Sequence, residues 1–257
     1  MGDLHSHLAR AGPGRRVAGF GPAHGTGSAR ARHHPTYGET PLELREPHYP
    51  GVLVTFCGVD GSGKSTLLAA AADVVRESGW PLYTTRMPTQ WSRDTALVKQ
   101  FLYEPDPAVR ARADFLAFNL VLMADRVQHL RENVLPRLEA GEVVLSDRYV
   151  FHAFALADAL GESREEIATI ARNFPRPDAA VFLDPTPEVA IARIRSREKE
   201  RTRFLDERLL ARQAAAYRGL ASEVGGHLVP TDGDVSFAAG RVRAIVANAL
   251  TRARIAV

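Results

Sequence analysis

Three observations predict an α/β fold built on a doubly wound, five-stranded parallel sheet. Short apolar runs alternate with longer helical stretches from Gly51 onward, the pattern of successive strand–helix–strand units. The runs are apolar at nearly every position, as in strands covered on both faces. The first of them opens into a glycine-rich turn that leads directly into a helix, between Val52 and Thr66.

That turn, Gly58-Val59-Asp60-Gly61-Ser62-Gly63-Lys64-Ser65-Thr66, has the spacing G-x-x-x-x-G-K-[ST] of a phosphate-binding loop, with a strand before it and a helix after. Glycines let consecutive backbone N–H groups converge on a polyphosphate, and the positive end of the helix faces the same anion. Gly58, Asp60, Gly61, Ser62, Gly63, Lys64, Ser65 and Thr66 are therefore the candidate polyphosphate-binding residues. Lys64 is expected on the β and γ phosphates and Ser65 on Mg²⁺.

The 257 residues suffice for one large domain or two small ones. A net charge of +3 gives no broad attraction to nucleic acid. No apolar run approaches the ~20 residues needed to span a membrane. The lone cysteine, Cys57, cannot form an internal disulfide and points to a reducing, cytoplasmic setting. Residues 1–50 differ from the rest. They are rich in Gly, Pro, Arg and His and carry His5, His7, His24, His33, His34 and His48, with no apolar periodicity. A disordered extension is expected there, rather than a secretory signal or a metal site. Residues 51–257 then form the domain.

Within it, a helix from Lys64 to Glu77 is expected to end at Ser78-Gly79, before a strand from Pro81 to Arg86. A helix from Arg93 to Tyr103 precedes Pro105 and Pro107. One long helix follows from about Ala108 to Ala140, kinked at Pro136 and closed by Gly141. Val143 to Asp147 reads as the third strand and Ala179 to Asp184 as the fourth, with helices near Val150–Leu160 and Ser163–Arg172 between them. Pro187 opens a helix that turns strongly basic from Arg193 to Arg203. A helix near Leu205–Val224, a fifth strand at His227–Val229 stopped by Pro230, and a helix near Ser236–Ala253 complete the chain. Gly58, Arg86, Asp147 and Asp184 fall at the carboxyl ends of strands, where ligands of such sheets bind. Asp147 is the candidate second acid for the metal, and Arg148 beside it can bridge two phosphates bidentately.

With these motifs in this order, the chain from Gly51 almost to its end resembles the thymidylate kinases, which phosphorylate dTMP with ATP. The matching blocks are the loop with its Asp60, then Arg86-x-Pro88, then Ala124-Asp125-Arg126-x-Gln128-His129-Leu130. Leu135-Pro136-x-Leu138-x-Ala140-Gly141 leads into Ser146-Asp147-Arg148-Tyr149, and Leu183-Asp184-x-x-Pro187-Glu188-Val189-Ala190 into Arg193-x-Arg195-x-Arg197. The resemblance implies a P-loop NTPase fold with a helical lid, ATP and Mg²⁺ as cofactors, a nucleotide substrate, and a homodimer. It assigns catalysis to Lys64, Asp60, Arg148 and the lid arginines Arg197 and Arg203, with Arg195 and Arg201 in the same segment. Asp60 meets either the acceptor sugar hydroxyl or the metal shell. Arg86, Arg126, Arg148, Tyr149 and His152 fall to the acceptor, Ser65 and Asp147 to the metal.

The acceptor side departs from the family. Leu122 stands where the family usually has a phenylalanine stacked on thymine, and Phe118 one turn earlier is the candidate replacement. After Asp-Arg-Tyr the family's small polar residues give way to Val150-Phe151-His152-Ala153-Phe154-Ala155-Leu156. Met87 occupies the middle of the Arg-x-Pro loop. A pocket that hydrogen-bonds one base rejects others, so altered contacts bear on substrate choice. dTMP is the leading acceptor. A modified nucleotide or other small molecule is the alternative, and a nucleotide-binding module without turnover is the third reading.

Overall fold

A computed structural model describes residues 40–104, 106, 109, 113–198 and 205–256. Five strands, β1 Val52–Cys57, β2 Leu82–Arg86, β3 Val143–Asp147, β4 Ala179–Asp184 and β5 His227–Pro230, form one sheet in the order β2-β3-β1-β4-β5. All four pairings are parallel. Side chains alternate across the sheet and divide the core in two. Val52, Val54, Phe56, Val143, Leu145, Val181 and Leu183 face one layer, with α1 (Lys64–Glu77) and α10 (Val235–Ala256). Leu53, Cys57, Val144, Ala180 and Phe182 face the other, where α4 (Phe115–His129), α6 (Phe151–Leu160) and α9 (Glu207–Glu223) contribute Met123, Phe154 and Tyr217. Both faces are thus covered, which is why the strands read as continuous apolar runs.

Caps set the helix boundaries and account for two departures from expectation. The stretch Arg93–Tyr103 is not one helix. A short α2 (Gln90–Arg93) ends at Asp94, and Thr95 caps α3 (Ala96–Tyr103) by accepting from Val98 N–H at 3.4 Å. The long helix begins at Phe115 rather than near residue 108, because Asp114 accepts from Ala117 N–H at 2.8 Å. It runs through a π turn (Leu130–Val134) into α5 (Leu135–Glu139). Pro136 has no N–H for the carbonyl one turn back, and the helix widens just ahead of it. The remaining helices are α7 (Glu165–Ala171) and α8 (Pro187–Arg195).

Residues 40–50, expected on composition to lie outside the domain, pack onto it. Leu42, Leu44 and Tyr49 lie against the core. Arg45 N–H donates to Phe174 O (2.9 Å), and Arg45 O accepts from Arg176 N–H (2.7 Å). Glu46 pairs with Arg176 at 2.6 Å and Glu43 with Arg172 at 3.2 Å.

Candidate active site

The parallel register aligns the strand ends. Phe56 of β1 and Arg86 of β2 both pair with Asp147 of β3, so the phosphate loop, Arg86 and Asp147 share one rim of the sheet. In the loop, Gly58, Gly61 and Gly63 all adopt positive φ, at 149°, 81° and 90°. A Cβ on Gly61 would strike the Ala190 carbonyl of α8, so only glycine lets that helix close on the loop. Lys64 is buried and its Nζ donates to Gly58 O (3.0 Å), Val59 O (2.7 Å) and Ser62 Oγ (3.3 Å). Burial, then the nearby Arg148 cation, push its ammonium down to about 7. Ser65 and Thr66 are exposed in the first turn of α1, with Ser65 lining the cleft.

That cleft, about 280 Å³, is lined by Asp60, Lys64, Ser65, Arg86, Asp147 and Arg197, and by three residues that the sequence did not single out, Arg93, Tyr103 and Ile194. Arg86 Nε lies 3.5 Å from Asp147 Oδ2. Burial and the neighbouring Arg93 both disfavour the charge on Arg86. Cations held this close to one another suit a multiply charged anion between them.

Arg148 holds a backbone φ of 69°, the one non-glycine positive φ among the described residues. Such a conformation costs about 1–3 kcal/mol and persists where the surroundings impose it. Here its N–H donates to Phe56 O at 2.8 Å and its carbonyl accepts from Ser146 Oγ at 2.6 Å. The side chain is aimed under the loop: Nη2 pairs with Asp60 Oδ1 at 2.5 Å and Nη1 donates to Gly58 O at 3.3 Å and to His152 Nδ1 at 3.1 Å. Burial works against this cation, but Asp60 and the charges beyond it outweigh burial and hold it above its ordinary range. His152 is held neutral by burial and by Arg148 and Arg126. Its Nδ1 also lies 2.7 Å from Tyr217 Oη and 3.4 Å from Gln213 Nε2, two α9 groups that no sequence signal marked.

Other expected acceptor residues divide. Arg126 is fully buried on α4, with Nη1 3.9 Å from Met123 Sδ and with Nε and Nη2 lacking hydrogen-bond partners. Burial pushes it down to about 10, against the pull of Asp125. Phe118 stacks on Phe101 with ring centroids 4.0 Å apart, in an apolar cluster with Leu122, Val98 and Leu156. Tyr149 turns away into the core. It is fully buried, packs edge-on against Phe151 and Phe174, and donates to Pro175 O at 2.7 Å. In the basic segment, Arg193 donates to Thr231 O (2.6 Å) and Gly61 O (3.4 Å), tying α8 to the loop. Arg197 is exposed beside the cleft, while Arg201 and Arg203 lie outside the described residues.

Among the described residues no group of three or more His, Cys, Asp or Glu is placed to hold a metal ion. Mg²⁺ asks for less: it keeps several waters and takes one or two carboxylates with substrate phosphates. Asp147 Oδ1 is buried without a hydrogen-bond partner, and Ser65 is exposed on the same cleft, so the residues present fit that ion.

A parallel sheet with a phosphate loop at its rim, facing a cluster of arginines, defines a P-loop phosphotransferase. The sequence model of one family, thymidylate kinase, matches residues 56–233. A probable thymidylate kinase of Pyrococcus abyssi is 34% identical over 147 residues, covering 57% of this chain and 71% of the relative. A thymidylate kinase of Leptospira borgpetersenii is 33% identical over 169 residues, 65% of this chain and 79% of its own. A probable thymidylate kinase of Pyrobaculum calidifontis is 32% identical over 199 residues, 77% of this chain and 96% of its own. The chain belongs to the thymidylate kinase family of ATP-dependent nucleoside monophosphate kinases.

Proposed function

We propose that the protein transfers the γ-phosphoryl group of ATP to dTMP, giving ADP and dTDP. The observation that carries this reading is the single rim on which the phosphate loop, the Arg86–Asp147 pair and the Arg148–Asp60 pair meet. The loop N–H groups and Lys64 take the β and γ phosphates of ATP. Arg86 and Arg148, with Arg93 beside them, orient the acceptor phosphate, and Asp60 fixes the Arg148 guanidinium. Arg126 faces the base, with Phe118 and Leu122 in the apolar wall behind it. Arg197, with Arg195 and Arg203 of the same basic segment, offsets charge developing on the transferring group.

Mg²⁺ belongs to this reading: Ser65 and Asp147 would hold it, and it would supply positive charge against the charge developing on the phosphoryl group. Positioning and charge stabilisation suffice for in-line transfer, so no covalent enzyme intermediate is required. A homodimer is also part of it. Leu116 and Leu120 are exposed on α4, beside an apolar groove formed by Met123, Ala124, Val127 and Ile170. No nucleic-acid partner is invoked, and a cytoplasmic location suits the nucleotide substrates. No described helix is long and apolar enough to cross a membrane.

The test is ADP release from ATP and Mg²⁺ with dTMP as acceptor, beside dUMP, dCMP, dGMP and AMP. Selective turnover of dTMP is expected. Tight ATP binding with no turnover of any of the five would overturn the assignment.

A further inference from the structure

Two polar side chains on α4 are buried with polar atoms that have no hydrogen-bond partner. Arg126 is one. Asn119 is the other: it is 2% exposed, and neither Oδ1 nor Nδ2 has a partner. A buried amide left unpaired is costly and calls for an explanation, such as strain, a catalytic role, or a bound water or ion. Asn119, Met123 and Arg126 are spaced i, i+4, i+7 and therefore share one face of the helix. Long helical side chains lean toward the helix N-terminus, and the 3.9 Å contact of Arg126 Nη1 with Met123 Sδ shows that Arg126 does so. Its guanidinium is thus brought to the level of Met123, about one turn (~5.4 Å) from Asn119. The same guanidinium interacts electrostatically with Arg148 and Tyr217, and its charge is felt at His152, so Arg126 on this face of α4 lies near the Arg148 cluster.

We infer that Asn119 is a specificity-determining residue, pairing with the donor–acceptor edge of the acceptor's base while Arg126 takes a neighbouring carbonyl. The inference rests on the functional reading above. An amide presents one acceptor and one donor side by side, and Arg126 adds donors only. The complementary edge carries an N–H flanked by two carbonyl oxygens, which is N3 of a pyrimidine-2,4-dione with O2 and O4. Asn119 Oδ1 would accept from N3–H and Nδ2 would donate to one adjacent oxygen, leaving the other to Arg126. No motif marks the residue, because Asn119 lies outside the matched Asp125-Arg126 block and reads as one polar residue in an apolar helix.

The experiment compares wild type with Asn119→Leu, using dTMP and its 3-deaza analogue, in which N3–H is replaced by C–H. Asn119→Leu should lower kcat/KM for dTMP by about tenfold or more, mainly through KM, with the KM for ATP unchanged. The wild type should prefer dTMP over the 3-deaza analogue, and the variant should lose that preference. The variant should also melt a few degrees higher, because an unpaired buried amide has been replaced by an apolar group of similar size. If wild type turns over dTMP and the variant matches it within twofold with the same analogue preference, Asn119 is a core residue and the inference fails alone. If wild type does not turn over dTMP, the functional reading fails and takes this inference with it. Should Asn119→Leu not fold, Asn119→Ser removes the amide and keeps a small polar group. Loss of the analogue preference in that variant supports the pairing, and an unchanged preference overturns it.

Discussion

Lys64 is where charge, burial and ligand binding are most tightly linked. Its folded-state value of about 7 lies below the ordinary 10.5, so between those pH values the unfolded chain holds a proton that the folded chain has lost. Stability contributed through this group therefore rises as pH climbs from about 7 towards 10.5. Phosphate binding has the opposite need, since only the ammonium attracts the β and γ oxygens. ATP affinity should thus weaken above pH 7, approaching about tenfold per pH unit, in calorimetric titrations from pH 6.5 to 9. Tyr149 illustrates a different point at the same scale. Its place after Asp147-Arg148 suggests substrate contact, yet its hydroxyl is committed to Pro175 O. Tyr149→Phe should cost about 1 kcal/mol in denaturant unfolding and leave the KM for dTMP unchanged.

The matched block Ala124-Asp125-Arg126 gains a physical meaning at the level of elements. Asp125 is buried, and its carboxylate accepts from Thr89 N–H and Thr89 Oγ1 at 2.5 Å each and from Ser92 Oγ at 3.1 Å. It pins the loop that follows Arg86 at the end of β2, and that holds Pro88, to α4. Asp125→Ala would leave these donors unpaired. It should lower stability by about 2 kcal/mol and raise the KM for dTMP roughly tenfold, with the KM for ATP unmoved, in paired melting and steady-state assays. The strands were legible in the sequence because burial on both faces leaves a simple apolar signature, as in Val143–Leu145 or Ala179–Leu183. The phosphate loop was legible because its glycine spacing is a backbone requirement. The split at Asp94-Thr95 and the start at Asp114 depend on single capping bonds, which apolar periodicity does not report. Tyr217 and Gln213 were hidden because α9 approaches His152 only through the tertiary fold.

At the scale of the whole molecule, the segment ahead of β1 belongs to the packing. A chain starting at Thr40 and one starting at Gly51 should differ in stability by about 2–3 kcal/mol, because Leu42, Leu44 and Tyr49 then lose their cover over the second core layer. Thermal melts of the two truncations check this. Asp125 and Arg126 also have a joint effect across the cleft. On the proposed reading, one residue anchors the loop beside the phosphate clamp, and the next presents the guanidinium that would face the base. Under that reading both ends of the acceptor would be gauged from consecutive residues of one helical turn, a fixed ruler between base and phosphate. A nucleoside would leave one end of that ruler unread and a nucleoside diphosphate would overrun it, so the same geometry would count phosphates as well as read bases.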